Sequence, residues 1–306
     1  MTEIYKHAYF GDTIIPLQDA NLSITSSAVL YGLSIYTVLP LFVTKDGLQA
    51  LLLQDHYNRL VNSAKIIGID TFEPQWTFER FKSAITEVVK TNNITQDSFI
   101  RITIHVTKKL PGTRSRGLET TVSIFAYEAK AIIPQNGARL KTSVWRRVPD
   151  YAIPSRAKVN GAYVNSVLGK QDALDSGYDD CIFLDSFGHV SELSAANIFI
   201  VRNNTLITPS CSSDILEGIN RKVVLELAEE MNIPTAERNI DLTELYVSEE
   251  IFACGTSSFI APVIEVDARK IGTGKIGTLT KKIQEKYLSV LHGKDPESKK
   301  YLTPLS

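Results

Sequence analysis

The stretch SRAKVNGAYVNSVLGKQDALDS, residues 155–176, decides how this chain is read. A Pro-flanked loop leads into it, and a helix with helical apolar spacing then runs from about Ala162 to Gly177. Lys158 stands just upstream of that helix, where Ala157, Val159 and Ala162 leave little bulk around it. A lysine among small, apolar residues is open to burial, and burial lowers the pKa of an amine. An amine that is partly neutral near pH 7 attacks carbonyls and forms Schiff bases. A solvated lysine near a helix start is the plainer alternative, and the rest of the chain has to decide between them.

The 306 residues allow one large domain or two moderate ones. With 43% apolar and 22% charged residues the composition is that of an ordinary globular protein, and a net charge of −1 argues against a nucleic-acid or acidic-membrane partner. Cys181, Cys211 and Cys254 are widely spaced without a CxxC or CxxH pattern, so neither a disulfide framework nor a metal site is expected. Reduced thiols suit a cytoplasmic protein. MTEIYKHAYF lacks the basic start and apolar core of a signal peptide, and no apolar run approaches the length of a membrane span.

The first third alternates strands and helices. IYTVLPLFV (35–43) and LQALLL (48–53) read as strands around a Lys45-Asp46-Gly47 turn, and Pro40 predicts an edge strand or a bulge. HYNRLVNSAKIIGI (56–69) and TFERFKSAITEVVKTNN (77–93) read as helices. SFIRITIHVTK (98–108) and TTVSIFAYEA (120–129) read as strands, separated by the loop LPGTRSRG (110–117). AKAIIPQNGAR (129–139) follows with Pro and Gly. The expected domains are therefore 1–130, a linker at 131–138, and 139–306 carrying Lys158. In the second part LKTSVWRRV (140–148) is a strand, and CIFLDSFGHVSELSAANIFIVRNNTLITP (181–209) contains three short strands. LEGINRKVVLELAEEMNI (216–233) is a helix, EEIFACGTSS and IAPVIEV are strands, and a helix lies over 278–293. The tail KDPESKKYLTPLS (294–306) is expected to be ordered only if docked.

Four features join Lys158. LEGIN (216–220) is a glycine entry to a helix, either an ordinary start or an anion site built from free N–H groups and the helix dipole. CGTSS (254–258) is either a tight turn or a phosphate- or carboxylate-binding one. Arg59 is either a surface residue or a bidentate phosphate ligand. Glu192, set among strand-forming residues, is either an exposed turn residue or a paired, functional carboxylate.

The order ELSAANIF (192–199), LIT (206–208), LEGINR (216–221) resembles the fold-type IV pyridoxal-phosphate enzymes, the class IV aminotransferases. LYGLSIY (30–36), HYNRLVNSAKIIGI, SRAKVNGAYVNS and CGTSSFIAPV match the same family in order and spacing, so the resemblance covers roughly residues 5 to 290. AKVNGAYVNS and WRRVPDYAIPSRAK are most similar to branched-chain amino-acid aminotransferases. The resemblance implies an α+β, two-domain fold with a smaller N-terminal α/β domain and a larger C-terminal mixed-sheet domain. It also implies a homodimer, and pyridoxal 5'-phosphate as cofactor. Lys158 would hold the cofactor as a Schiff base and move the substrate proton. Glu192 would bond the pyridine nitrogen and Tyr163 the O3′ oxygen. Arg59, the backbone at Ile219 and Asn220, and Thr256 would hold the phosphate. The N–H groups of Thr256 and Ser257 would take the substrate α-carboxylate. Tyr31 (from the second subunit), Tyr36 and Arg101 would line the side-chain pocket.

Several residues depart from the branched-chain pattern. Asn220 replaces a usual threonine, Phe99 a tyrosine, TVLPLF (37–42) an EGIR-like run, and LSAAN (193–197) a GSGEN-like run. Arg114 and Arg116 offer a second carboxylate anchor or simply solvate their loop. The expected activity is transamination between an L-branched-chain amino acid and 2-oxoglutarate. A D-amino-acid or (R)-amine aminotransferase and 4-amino-4-deoxychorismate lyase share the fold. A non-enzymatic binding protein would leave Lys158, Tyr163 and Glu192 as coincidence.

Overall fold

Residues 2–305 are described by the computed structural model, and they form two compact units. The first comprises the chain up to Lys130, Ala157–Ala162 and the residues from Ser289 onward; the second comprises Ala131–Arg156 and Tyr163–Leu288. Lys158 therefore belongs, by its contacts, to the first unit rather than to the 139–306 segment expected to carry it. The reason is local. Residues 157–162 break from the flanking chain and bond to the first unit's sheet and helix.

In the first unit, strands β1 (His7–Phe10), β2 (Thr13–Pro16), β3 (Ser34–Thr44), β4 (Gly47–Leu51), β5 (Ser98–Val106) and β6 (Thr120–Glu128) form one sheet. Leu302–Pro304 joins at its edge, giving the order Leu302–Pro304, β4, β3, β5, β6, β1, β2 with every neighbour antiparallel. The polar tail is thus docked, and Leu305 enters the core. Helices α1 (Ser27–Leu30), α2 (Leu53–Ile67) and α3 (Phe78–Thr91) and the short helix Ser298–Tyr301 belong to the same unit, and the Thr77 side chain caps α3 by accepting from the N–H of Arg80. Leu60 and Ala64 of α2, with Phe81, Ile85 and Val88 of α3, pack against Ile35, Leu39, Ile100, Ile102 and Ile104. Full burial of each large side chain contributes about 1.5–3 kcal/mol. Period-two alternation puts Phe99, Arg101, Thr103 and His105 on the opposite face of β5.

Pro40 marks neither an edge nor a bulge. It lies inside β3, opposite Phe99 of β5. Tyr36 donates its N–H away from β5, to the Lys158 carbonyl, and β4 pairing begins only at Leu41. Even-numbered residues of β3 share that direction, so the donor Pro40 lacks falls in the gap between the two neighbours.

The second unit contains β7 (Ala138–Arg146), α4 (Tyr163–Asp175), β8 (Asp180–Leu184), β9 (Val190–Leu193), β10 (Asn197–Arg202), β11 (Thr205–Thr208), α5 (Ile219–Glu230), β12 (Thr235–Glu237), α6 (Leu242–Tyr246), β13 (Glu250–Gly255), β14 (Phe259–Val266), β15 (Arg269–Lys270) and most of α7 (Thr278–Leu291). Its nine-stranded sheet runs β12-β11-β10-β13-β14-β7-β8-β9, with β15 on β14. It is mixed: β14/β7, β7/β8 and β11/β12 are parallel. Residues 181–209 hold parts of four strands, not three, because Ser194–Ala196 turn the chain between β9 and β10. Among the described residues no helix is long and apolar enough to cross a membrane.

Candidate active site

Lys158 is clamped by its main chain. Its N–H donates to Ser63 Oγ of α2 (3.1 Å), and its carbonyl accepts from the N–H of Tyr36 (3.0 Å). Ser63 in turn donates to the Arg59 carbonyl (2.8 Å), so Lys158 and Arg59 hang on one helix. The half-buried side chain places Nζ 4.9 Å from the centroid of the Tyr36 ring. Just beyond, Gly161 donates its N–H to Gly32 O (3.2 Å), and a Cβ on Gly32 would sit 2.8 Å from Gly161 Cα. Gly32 also has φ +63, so the close crossing of the LYGLSIY and AKVNG segments requires glycine.

On the face of β3 and β5 that carries Tyr36, Arg101 lies with its guanidinium 3.7 Å from the Tyr36 ring centroid. Arg101 donates to Asn160 Oδ1 (2.5 Å), whose amide donates to Ser34 Oγ (2.7 Å). Phe99 is buried edge-on to Tyr127. Tyr31, at the end of α1, is exposed, as are Arg114 and Arg116 in their loop. On the opposite face of β3, Thr37 Oγ1 accepts from Arg59 Nη2 (2.9 Å) and lies 2.7 Å from His56 Nδ1.

Two histidines of this unit are held neutral. Burial first, then the Arg101 charge, lowers His105 to about 4. Burial, followed by the charges of Arg59 and Lys158, holds His56 well below its ordinary 6.5. Above about pH 6.5 both are neutral whether folded or unfolded. Below it the unfolded chain takes up protons that the folded chain refuses, so stability falls with pH. For His105 the expected slope is about 1.4 kcal/mol per pH unit between 6.5 and about 4, and His56 adds to it in the same direction. Urea midpoints of wild type and His105→Gln check this: the wild-type loss between pH 7 and 5 should be the steeper. Equal pH dependence would contradict it.

In the second unit Glu192, on β9, is buried with Arg147, and Arg147 Nη2 donates to Glu192 Oε1 (2.7 Å). The Asn197 amide (3.1 Å) and the N–H of Leu216 (3.2 Å) donate to Oε2. A carboxylate with these three donors is ionised. The same Asn197 amide nitrogen also donates to Leu216 O (2.9 Å), fixing the loop before α5. A Cβ on Gly218 would meet Asn197 Oδ1 at 2.0 Å, so glycine is needed there too. Gly218 provides no side-chain cap, which leaves the first-turn N–H groups at Ile219 and Asn220 available to an anion. Asn220 donates to Thr256 Oγ1 (3.2 Å) and accepts from the Tyr287 hydroxyl (2.7 Å). Its amide is thus occupied as a brace, and the backbone is what it offers a ligand. Thr256 and Ser257 form the turn between β13 and β14, and Tyr163 is the first residue of α4. Burial pushes the Cys254 thiol up to about 12, so no thiolate nucleophile forms beside that turn.

Each unit thus assembles a distinct part of the expected set: Lys158, Arg59, Tyr36, Phe99 and Arg101 in one, Tyr163, Glu192, Ile219, Asn220, Thr256 and Ser257 in the other. The sequence reading missed Arg147, Asn197, Thr37 and His56. Signals existed for two of them: the paired arginines of WRRV, and a histidine three residues before Arg59 on one helix face. The residues present suit pyridoxal phosphate. A buried carboxylate kept anionic matches a protonated pyridine nitrogen, and the uncapped α5 start of the same unit matches a phosphate dianion.

Comparison with known proteins agrees. Residues 37–266 match the family model for amino-transferase class IV. A protein of Aquifex aeolicus, described as a probable branched-chain-amino-acid aminotransferase, is 37% identical over 302 residues, covering 97% of this chain and 96% of the relative. The crystal structure of the branched-chain aminotransferase from the thermophilic archaeon Thermoproteus uzoniensis with norvaline superposes with a TM-score of 0.94 at 33% identity, over 99% of this chain and 100% of the other. That of the branched-chain amino acid aminotransferase from Thermobaculum terrenum in its PLP-form gives 0.91 at 27%, over 99% of both chains. The chain belongs to the class IV aminotransferases and is a pyridoxal-phosphate-dependent enzyme of fold type IV.

Proposed function

We propose that the protein transfers the amino group of an L-branched-chain amino acid to 2-oxoglutarate, with Lys158 as the catalytic residue. The observation that carries this reading is the Lys158 clamp: both main-chain polar groups are fixed while Nζ projects over Tyr36. When bound, pyridoxal phosphate supplies an electron sink for the pair left on the substrate Cα. Lys158 Nζ would take the Cα proton and deliver it to C4′ of the cofactor within the first half-reaction, and would carry a proton the opposite way in the second. Glu192 holds the proton on the ring nitrogen, Tyr163 donates to O3′, and Arg59, Ile219, Asn220 and Thr256 hold the phosphate. Fixing the phosphate keeps the reacting carbon beside Nζ. The N–H groups of Thr256 and Ser257 take the α-carboxylate.

Transamination requires one pocket to accept two side chains. Tyr36 would form an apolar wall for a leucine-like chain, with Phe99 buried on the same face of the sheet, and Arg101 offers a guanidinium to the distal carboxylate of glutamate. Homodimer formation is part of the reading. Val144, Val164 and Val167 are 72%, 64% and 64% exposed, and Val164, Val167 and Leu168 form an uncovered apolar stripe on α4 that a second copy would bury. Tyr31, exposed as well, would then serve the other copy's pocket. The protein would act in the cytoplasm.

The test is a panel of half-reactions with L-leucine, L-isoleucine, L-glutamate, D-alanine and (R)-1-phenylethylamine, followed by the loss of yellow colour. The three L-amino acids should react, in a protein of twice the chain mass by light scattering. In Arg101→Leu the glutamate reaction should be lost and the leucine reaction kept. Reaction with D-alanine or the amine alone, or pyruvate release from aminodeoxychorismate, would overturn the substrate assignment.

A further inference from the structure

Thr37, His56 and Arg59 form a continuous hydrogen-bonded chain in which neither Thr37 nor His56 has a role in the reaction as described. We propose that Thr37 and His56 are positioning residues that aim the Arg59 guanidinium at the cofactor phosphate without neutralising its charge. The proposal deepens the reading above and rests on its assignment of Arg59 to the phosphate.

The direction of each hydrogen bond follows from the atoms. A guanidinium only donates, so Thr37 Oγ1 accepts from Arg59 Nη2. The hydroxyl then has one hydrogen to give, and His56 Nδ1 lies 2.7 Å away to take it. Nδ1 is therefore the acceptor, and the imidazole is neutral with its hydrogen on Nε2. The neutral state agrees with a ring that is fully buried and faces the charges of Arg59 and Lys158. Nε2 has no hydrogen-bond partner among the described residues. An apolar residue of similar size would avoid that loss but would give Thr37 no acceptor.

The placement is specific. His56 and Arg59 are one turn apart on α2, so they share a face, and Thr37 meets both from β3. Thr37 is the first residue of the TVLPLF run and presents a hydroxyl, not a carboxylate, to the guanidinium. A glutamate bonded to Arg59 would form a bidentate ion pair and compete with the phosphate. Threonine backed by neutral histidine fixes the guanidinium plane through groups that carry no charge of their own. The Ser63 link to the Arg59 carbonyl sets the same helix against Lys158, so phosphate and reacting carbon are referred to one frame.

The test titrates the full-length chain, freed of cofactor, with pyridoxal phosphate and with pyridoxal, which lacks the phosphate. Thr37→Val removes the hydroxyl at constant shape, Thr37→Ser restores it, and His56→Phe removes the acceptor. Thr37→Val and His56→Phe should raise the Kd for pyridoxal phosphate about tenfold, with pyridoxal unchanged and Thr37→Ser close to wild type. In an Arg59→Leu background, Thr37→Val should add nothing. Equal weakening of both ligands, or an additive effect without Arg59, would overturn the positioning role. Should Arg59→Leu itself fail to weaken pyridoxal phosphate selectively, the phosphate assignment falls, and the positioning role with it. If His56→Phe does not fold, Thr37→Val alone decides.

Discussion

Lys158→Ala is expected to lower kcat/KM for L-leucine and 2-oxoglutarate by at least about 10⁴-fold and to remove the yellow absorption of the lysine-bound cofactor. The effect should be chemical, not structural. Lys158 is held through its main-chain N–H and carbonyl, to Ser63 Oγ and Tyr36 N, and alanine keeps both bonds. The neighbouring bridge between Ile35 and Val159 involves no Lys158 side-chain atom. Urea midpoints of variant and wild type should therefore nearly coincide. Activity within tenfold of wild type, or a collapse of stability in parallel with activity, would contradict the assignment.

Glu192→Gln is expected to lower both activity and stability, for different reasons. In the proposed site, losing the carboxylate would remove the partner of the ring nitrogen, a fixed electrostatic contact of a kind that is worth on the order of 10²–10³ in rate. It also leaves Arg147 buried opposite a neutral amide, in a pair whose side chains are 11% and 7% exposed. Breaking one side of a buried ion pair costs about 3–5 kcal/mol. The two losses separate in the double variant Arg147→Met/Glu192→Gln, which removes the stranded charge. Its stability should recover most of the way toward wild type, while its rate stays low. Recovery of rate together with stability would show that Glu192 acts only on the fold.

Much of the architecture was legible in the sequence because period and punctuation agree with it. The alternation of residues 98–108 became β5, the stretch 77–93 became α3, and Lys45-Asp46 turned the β3/β4 hairpin. Three features lay beyond local pattern. Pro40 is accommodated inside a sheet only because two separate segments border the same side of β3, a tertiary arrangement. Residues 157–162 join the first unit through backbone bonds and through the Asn160 side chain, all to partners more than 50 residues away in the chain. The extra strand in residues 181–209 is separated from its neighbour only by Ser194–Ala196, a turn without glycine or proline to punctuate it. In the candidate site, the chemically loaded types (lysine, glutamate, arginine, tyrosine) were legible, while their partners were not. Arg147, Asn197, Thr37 and His56 act through hydrogen bonds between distant parts of the chain, and no spacing rule connects Thr37 to His56 or Arg147 to Glu192.

The central claim is that Lys158 is the amine that carries the cofactor. Reducing the yellow enzyme with borohydride locks the cofactor onto whichever amine holds it, and mass spectrometry of the digested chain then locates it. The account predicts a phosphopyridoxyl group on the peptide containing Lys158 and on no other. Its recovery on a different lysine, or no covalent label after reduction of a demonstrably yellow protein, would contradict the account.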